Sequence, residues 1–152
     1  TNGSSPRRPR GLFRCHLWPM DRTMTIWGAG SLMIAVGLGA FGAHGLKSYV
    51  TPDALGQWKT GVEYQFYHGL GLLLLARLGT ELSPRMVRLA GSLFVAGIIC
   101  FSGSLYLLST RVPMGTEGLT PFLGPITPLG GLCFLSGWAV LLAAAVGQGR
   151  RN

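Results

Sequence analysis

The stretch Gly37-Leu38-Gly39-Ala40-Phe41-Gly42-Ala43-His44-Gly45-Leu46 closes the first long apolar run of the chain. That run covers residues 25–46 without a charged side chain until its end. A bilayer core about 30 Å thick needs about 20 helical residues to cross it, so the run has the length of a transmembrane helix. Within the stretch, Gly37, Gly39 and Gly42 match the glycine pattern of dinucleotide-binding turns letter for letter. The context excludes that use, because the glycines end an apolar helix and do not follow a strand. Glycine and alanine instead suit close helix packing in lipid.

Outward from this stretch the same composition recurs. Hydrophobic residues make up 48% of the 152 residues and charged residues 12%, about half the charged share of an ordinary soluble domain. Further runs lie at 64–78, 89–109 and 128–148. The second is short, bracketed by Glu63 and Arg77, whose charged ends can reach the interfaces. The fold class is therefore all-α, an integral membrane bundle of four transmembrane helices at about 25–46, 62–80, 85–109 and 128–147. A basic arm (1–24) precedes this domain (25–148), and a basic tail (149–152) follows it.

The formal charge of +8 does not point to nucleic acid, because the basic residues flank apolar runs and line no single face. Arg7, Arg8, Arg10, Arg14, Arg22, Arg77, Arg85, Arg88, Arg150 and Arg151 fall on one side of the four spans. Lys47, Lys59 and Arg111 fall on the other. By the positive-inside rule both termini are cytoplasmic. Anionic lipids are expected partners of the basic side.

Residues 11–20 mix Leu12, Phe13, Leu17 and Trp18 with arginines, as in a segment lying on a membrane surface. Arg7, Arg8, Arg10, Phe13, Arg14 and Trp18 are the candidates for attachment to a partner or a membrane. The competing reading is an upstream extension, with a later start at Met20 or Met24. Cys15, Cys100 and Cys133 are scattered and odd in number, so free thiols are expected. Ser31, Ala35, Gly39 and Ala43 stand four apart in the first span, and Ser92 and Ala96 repeat the spacing in the third. Both sets are candidate packing ridges. Residues 110–127, rich in proline and glycine, read as an irregular loop.

Polar residues gather near one end of the spans. His44 closes the first, His68 lies near the start of the second, and Tyr106 ends the third. Gln65, Tyr67, Ser102, Ser104 and Thr127 stand at the same expected level. These eight form a candidate polar cluster or ligand-binding site, since ionisable groups in a membrane are costly and often functional. They equally suit a structural network of interhelical hydrogen bonds. Two histidines without a cysteine or carboxylate pair make a thin metal site. No metal, haem or other cofactor is expected. No nucleophile, base and acid stand at a recognisable spacing, so no catalytic residue is assigned and the chain does not read as an enzyme.

Four motifs together carry a resemblance. Gly39-Ala40-Phe41-Gly42-Ala43-His44-Gly45-Leu46, Tyr64-Gln65-Phe66-Tyr67-His68, Phe101-Ser102-Gly103-Ser104-Leu105-Tyr106 and Leu123-Gly124-Pro125-Ile126-Thr127-Pro128-Leu129-Gly130-Gly131 stand in that order. The chain resembles the small inner-membrane proteins grouped as domain of unknown function 423, related to mitochondrial transmembrane protein 256. The resemblance implies a four-helix protein of a bacterial inner membrane, or of the mitochondrial inner membrane in a eukaryote. It implies no activity. Two functional classes remain. One is an accessory or structural subunit of a larger membrane complex, an energy-transducing one included, with other integral subunits or further copies as partners. The other is a small transporter or ligand- or lipid-binding protein using the His/Tyr cluster. The apolar character of the opposite helix halves favours the first.

Overall fold

The computed structural model describes residues 21–79 and 82–149, and every regular element among them is helical. Helix α1 (Arg22–His44) starts three residues before the expected 25 because Asp21 caps it. The Asp21 carboxylate accepts from the backbone N–H groups of Thr23 at 2.9 Å and Met24 at 3.2 Å, satisfying donors that no helix can satisfy internally at its first turn. A 3-10 turn (Leu46–Ser48) follows α1. Helix α2 (Pro52–Leu78) opens with Thr51 accepting from Ala54 N–H at 3.3 Å, proline in the first turn and Asp53 at the positive dipole end. It runs through Gly56 and Gly61 unbroken, roughly 40 Å at 1.5 Å per residue.

The next rod is composite: α3 (Pro84–Gly97), a π turn (Ile98–Ser102) and α4 (Gly103–Ser109). Its last carbonyls are taken by Ser109, Thr110 and Arg111 side chains, which close the helix end. The expected loop over 110–127 is largely helical instead. A short α5 (Arg111–Met114) stops at Gly115, whose φ of 63° lies in the left-handed region that favours glycine. A 3-10 turn (Glu117–Leu119) leads into α6 (Thr120–Gly149). Pro125 and Pro128 lie inside that helix. Each deletes one backbone donor, a loss a membrane helix tolerates where neighbouring helices and hydroxyl side chains take up the freed groups.

Helix α2 is the centre of the packing. It lies antiparallel to α1: Asp21 N–H donates to Ala76 carbonyl at 3.2 Å at one end, and Trp58 meets Leu38 and Gly42 toward the other. Its other side meets the α3–α4 rod and reaches α6 through the His68 side chain. Trp58, Gly61, Gln65, His68, Leu72 and Leu75 are buried at alternating three- and four-residue spacing, a seam of the coiled-coil kind. The apolar core joins Met24, Leu72, Leu75, Ala76, Val87, Ala90, Phe94 and Phe134.

Glycines let these helices touch. A Cβ at Gly42 would stand 2.7 Å from the Trp58 ring, and one at Gly61 2.8 Å from the Tyr106 ring. One at Gly97 would run into the Phe134 ring. On α1 the buried small residues are Gly28, Ala35 and Gly42, seven apart. Ser31 and Gly39 border that line, whereas Ala43 is exposed. On α3 the contact line is Gly91, Phe94 and Gly97, with Ser92 exposed and Ala96 half-buried. Both expected ridges are thus displaced in part, because a seven-residue repeat drifts round the helix more slowly than a four-residue one.

Among the described residues, three helical segments are long and apolar enough to cross a membrane: Arg22–Ser48, Pro84–Ser109 and Glu117–Gly147. Their outward faces carry Ile26, Met33, Val36, Ile99, Leu129, Leu135 and Leu142, all more than half exposed. The central helix α2 is more polar: Gln65 and His68 lie against protein, where they are hydrogen-bonded, whereas Asp53, Lys59, Glu63 and Arg77 are exposed.

Candidate functional site

The polar side chains of the interior join helices in separate links. Gln65 is the most connected. Its Nε2 donates to the Ser31 carbonyl of α1 at 2.9 Å, and its Oε1 accepts from the Tyr106 hydroxyl of α4 at 2.9 Å. A carbonyl can only accept, so the amide orientation is fixed by these partners. Gln65 therefore ties α1, α2 and α4 at one level. One turn or two nearer the α2 start, Trp58 Nε1 donates to the Leu38 carbonyl at 2.9 Å, and its ring lies 4.7 Å from that of Tyr106 and 5.7 Å from that of Phe41.

His68 faces the opposite flank of α2. Its Nδ1 lies 2.8 Å from the Tyr64 carbonyl, and its Nε2 accepts from Trp138 Nε1 of α6 at 3.2 Å. The carbonyl requires N–H at Nδ1 and the indole requires a lone pair at Nε2, so the partners define the neutral Nδ1–H tautomer. The ring stacks on Phe134 at 3.4 Å and 9°, with Phe94 edge-on at 5.3 Å. Both nitrogens are engaged, which leaves none to bind a metal. No group of three metal-ligating side chains occurs among the described residues. A third link joins the rods beyond: Ser104 Oγ and Thr127 Oγ1 lie 2.7 Å apart, and Ser104 also donates to Phe101 carbonyl at 2.9 Å in the π turn.

The expected cluster of eight therefore resolves into three links and three residues outside them. Gln65 with Tyr106, His68, and Ser104 with Thr127 are interior. Ser102 is buried with its hydroxyl unpartnered. Tyr67 is exposed, and His44 is exposed at the α1 end. The two histidines are not level. The antiparallel register puts His68 beside the Gly28–Ser31 part of α1, roughly 24 Å along the axis from His44 at 1.5 Å per residue. The cause is the early start of α2, which carries His68 more than four turns from the helix start.

Sequence reading passed over Trp58, Tyr64, Phe134 and Trp138, which hold the polar residues in place. An indole inside an apolar run is a usable signal, since its N–H needs an acceptor once buried. Arg7, Arg8, Arg10, Phe13, Arg14 and Trp18 lie outside the described residues.

Helices sheathed in exposed apolar side chains, with polar groups bonded between them, define a helical membrane protein. The chain belongs to the family described as protein of unknown function (DUF423), whose sequence model matches residues 38–131. All four motifs fall in that span, and they supply Gly42, Gln65, His68, Ser104, Tyr106, Thr127 and Gly130 to the contacts between helices. The chain is 46% identical to the UPF0382 membrane protein YwdK of Bacillus subtilis, over 82% of this chain and 97% of that relative. It is 40% identical to a UPF0382 membrane protein of Schizosaccharomyces pombe, over 78% of this chain and 99% of the relative. No solved structure matches.

Proposed function

We propose that the protein is a four-span membrane scaffold, with both termini on the cytoplasmic side, acting as an accessory or structural subunit of a larger membrane complex rather than as an enzyme. The observation that carries this reading is the use of the interior polar groups. Gln65, His68, Trp58, Ser104 and Tyr106 are all bonded to neighbouring helices or their own backbone. Such groups position helices and line no continuous polar route for an ion or solute.

The fourth span in this reading is α2, whose buried Gln65 and His68 are bonded to neighbouring helices and whose Phe66, Leu70 and Leu74 are exposed on its outer side. The orientation is supported by the basic residues: Arg22, Arg77, Arg85 and Arg88 all stand near the end where α1 begins and α2 finishes. Other integral subunits are the expected partners. The test is purification in a mild detergent from the native membrane, with mass-spectrometric identification of what travels with the chain. A defined set of integral proteins, absent from a tag-only control, is the expected result. A chain that runs alone at its own mass sinks the subunit reading.

A further inference from the structure

Helix α1 packs on α2 but leaves a cleft between itself and the α3–π-turn rod. The cleft has a volume of about 400 Å³, with Trp27, Gly30 and Ile34 on one wall, Val95 and Ile99 on the other, and Leu72 on the floor. A smaller hollow of about 340 Å³ shares Trp27, Val95 and Ile99 and extends it to Thr23 and Ser92. From Thr23 to Ile34 the channel is roughly 17 Å long at 1.5 Å per residue. Nothing stands within 4 Å of a Cβ built at Gly30, so the space there is open.

The walls begin at the same end, since Met24 reaches Gly91. At that end both carry arginine. Arg22 lies one turn before Ile26 on α1, and Arg85 and Arg88 continue the Ser92, Val95 and Ile99 stripe of α3 backwards by turns. All three arginines are exposed and pair with no acidic side chain among the described residues. Trp27, 52% exposed, stands a turn deeper than Arg22, the level at which indoles sit in a membrane interface.

We infer that this cleft holds an acyl chain of an anionic phospholipid whose phosphate lies against Arg22, Arg85 and Arg88. An apolar slot crowned by basic residues matches that amphiphile end for end, and basic pockets between membrane helices bind such headgroups. A partner helix fits less well, because its apolar face would offer the three arginines no phosphate. The inference needs α1 and the α3–α4 rod to lie in a membrane, but it does not need a protein partner.

Native mass spectrometry on the detergent-purified full chain tests it, with phosphatidylglycerol and phosphatidylcholine of identical acyl chains offered in competition. The wild type should retain phosphatidylglycerol in preference. Replacing Arg22→Gln, Arg85→Gln and Arg88→Gln should lower that preference by roughly fivefold for each arginine removed. Gly30→Phe fills the slot and should abolish retention of either lipid. Equal retention of the two lipids by the wild type overturns the inference. So does an unchanged preference in the triple arginine variant, whose substitutions are all on the surface and leave the core intact. A chain that purifies alone yet keeps its phosphatidylglycerol defeats the subunit reading and leaves this one standing.

Discussion

Replacing Gln65 with leucine keeps the side chain near its present volume but strands one group and cuts the tie to another helix. The Tyr106 hydroxyl loses its acceptor, and the Ser31 carbonyl loses a donor from α2. A buried group left unmade is dearer than the bond itself, so Gln65→Leu should destabilise by about 1–2 kcal/mol. Tyr106→Phe removes one bond and should cost about 1 kcal/mol or less. The double variant should fall short of the sum, because the two changes delete the same bond. Unfolding in mixed detergent, followed by circular dichroism, measures all three. Additive losses would show that the two side chains are not coupled. Such residues are legible in sequence as polar groups within apolar runs that must find partners. Their partners are not, since the acceptors at Ser31 and Leu38 are backbone carbonyls and the donor to His68 is a tryptophan. His44 illustrates the limit: its expected level depended on where α2 began.

Between elements, contact distance decides which glycines matter. A Cβ at Gly130 would run into the backbone nitrogen of Phe101 in the π turn, and backbone cannot swing aside. Gly130→Ala should therefore separate α6 from the rod and cost about 2 kcal/mol or more, despite alanine's better helix propensity. Gly30→Ala, facing open space, should be neutral or stabilising by up to about 1 kcal/mol. Thermal unfolding of the two variants in one detergent makes the comparison, and equal midpoints would contradict the packing described. Helix positions were largely readable from run length. Two boundaries were not. Asp21 as a cap was hidden among the arginines of the arm, and the prolines and glycines of 110–127, Pro125 among them, read as a loop. Their local preference for a loop is overridden by α6 packing against the π turn and by the Thr127–Ser104 bond.

For the molecule as a whole, orientation in a membrane turns on charge and on which ends lie together. The start of α1, the finish of α2 and the start of α3 meet at one end through Asp21, Ala76, Met24 and Gly91. That end carries Arg22, Arg77, Arg85 and Arg88, while Thr116 lies between α5 and α6 near the other. Keeping these basic residues on the cytoplasmic side is favourable, because translocating each of them is disfavoured during insertion. The expectation is that Asn2 and Thr116 lie on opposite sides of the membrane. It is checked in a background with Cys15, Cys100 and Cys133 replaced by alanine, by introducing Asn2→Cys and Thr116→Cys separately. In intact cells a membrane-impermeant maleimide should label position 116 alone, and permeabilisation should expose position 2 as well. Labelling of both positions in intact cells would mean an odd crossing number between them has been misassigned. The segment to re-examine would then be α2, which among the long described helices is not apolar enough by composition alone to cross a membrane.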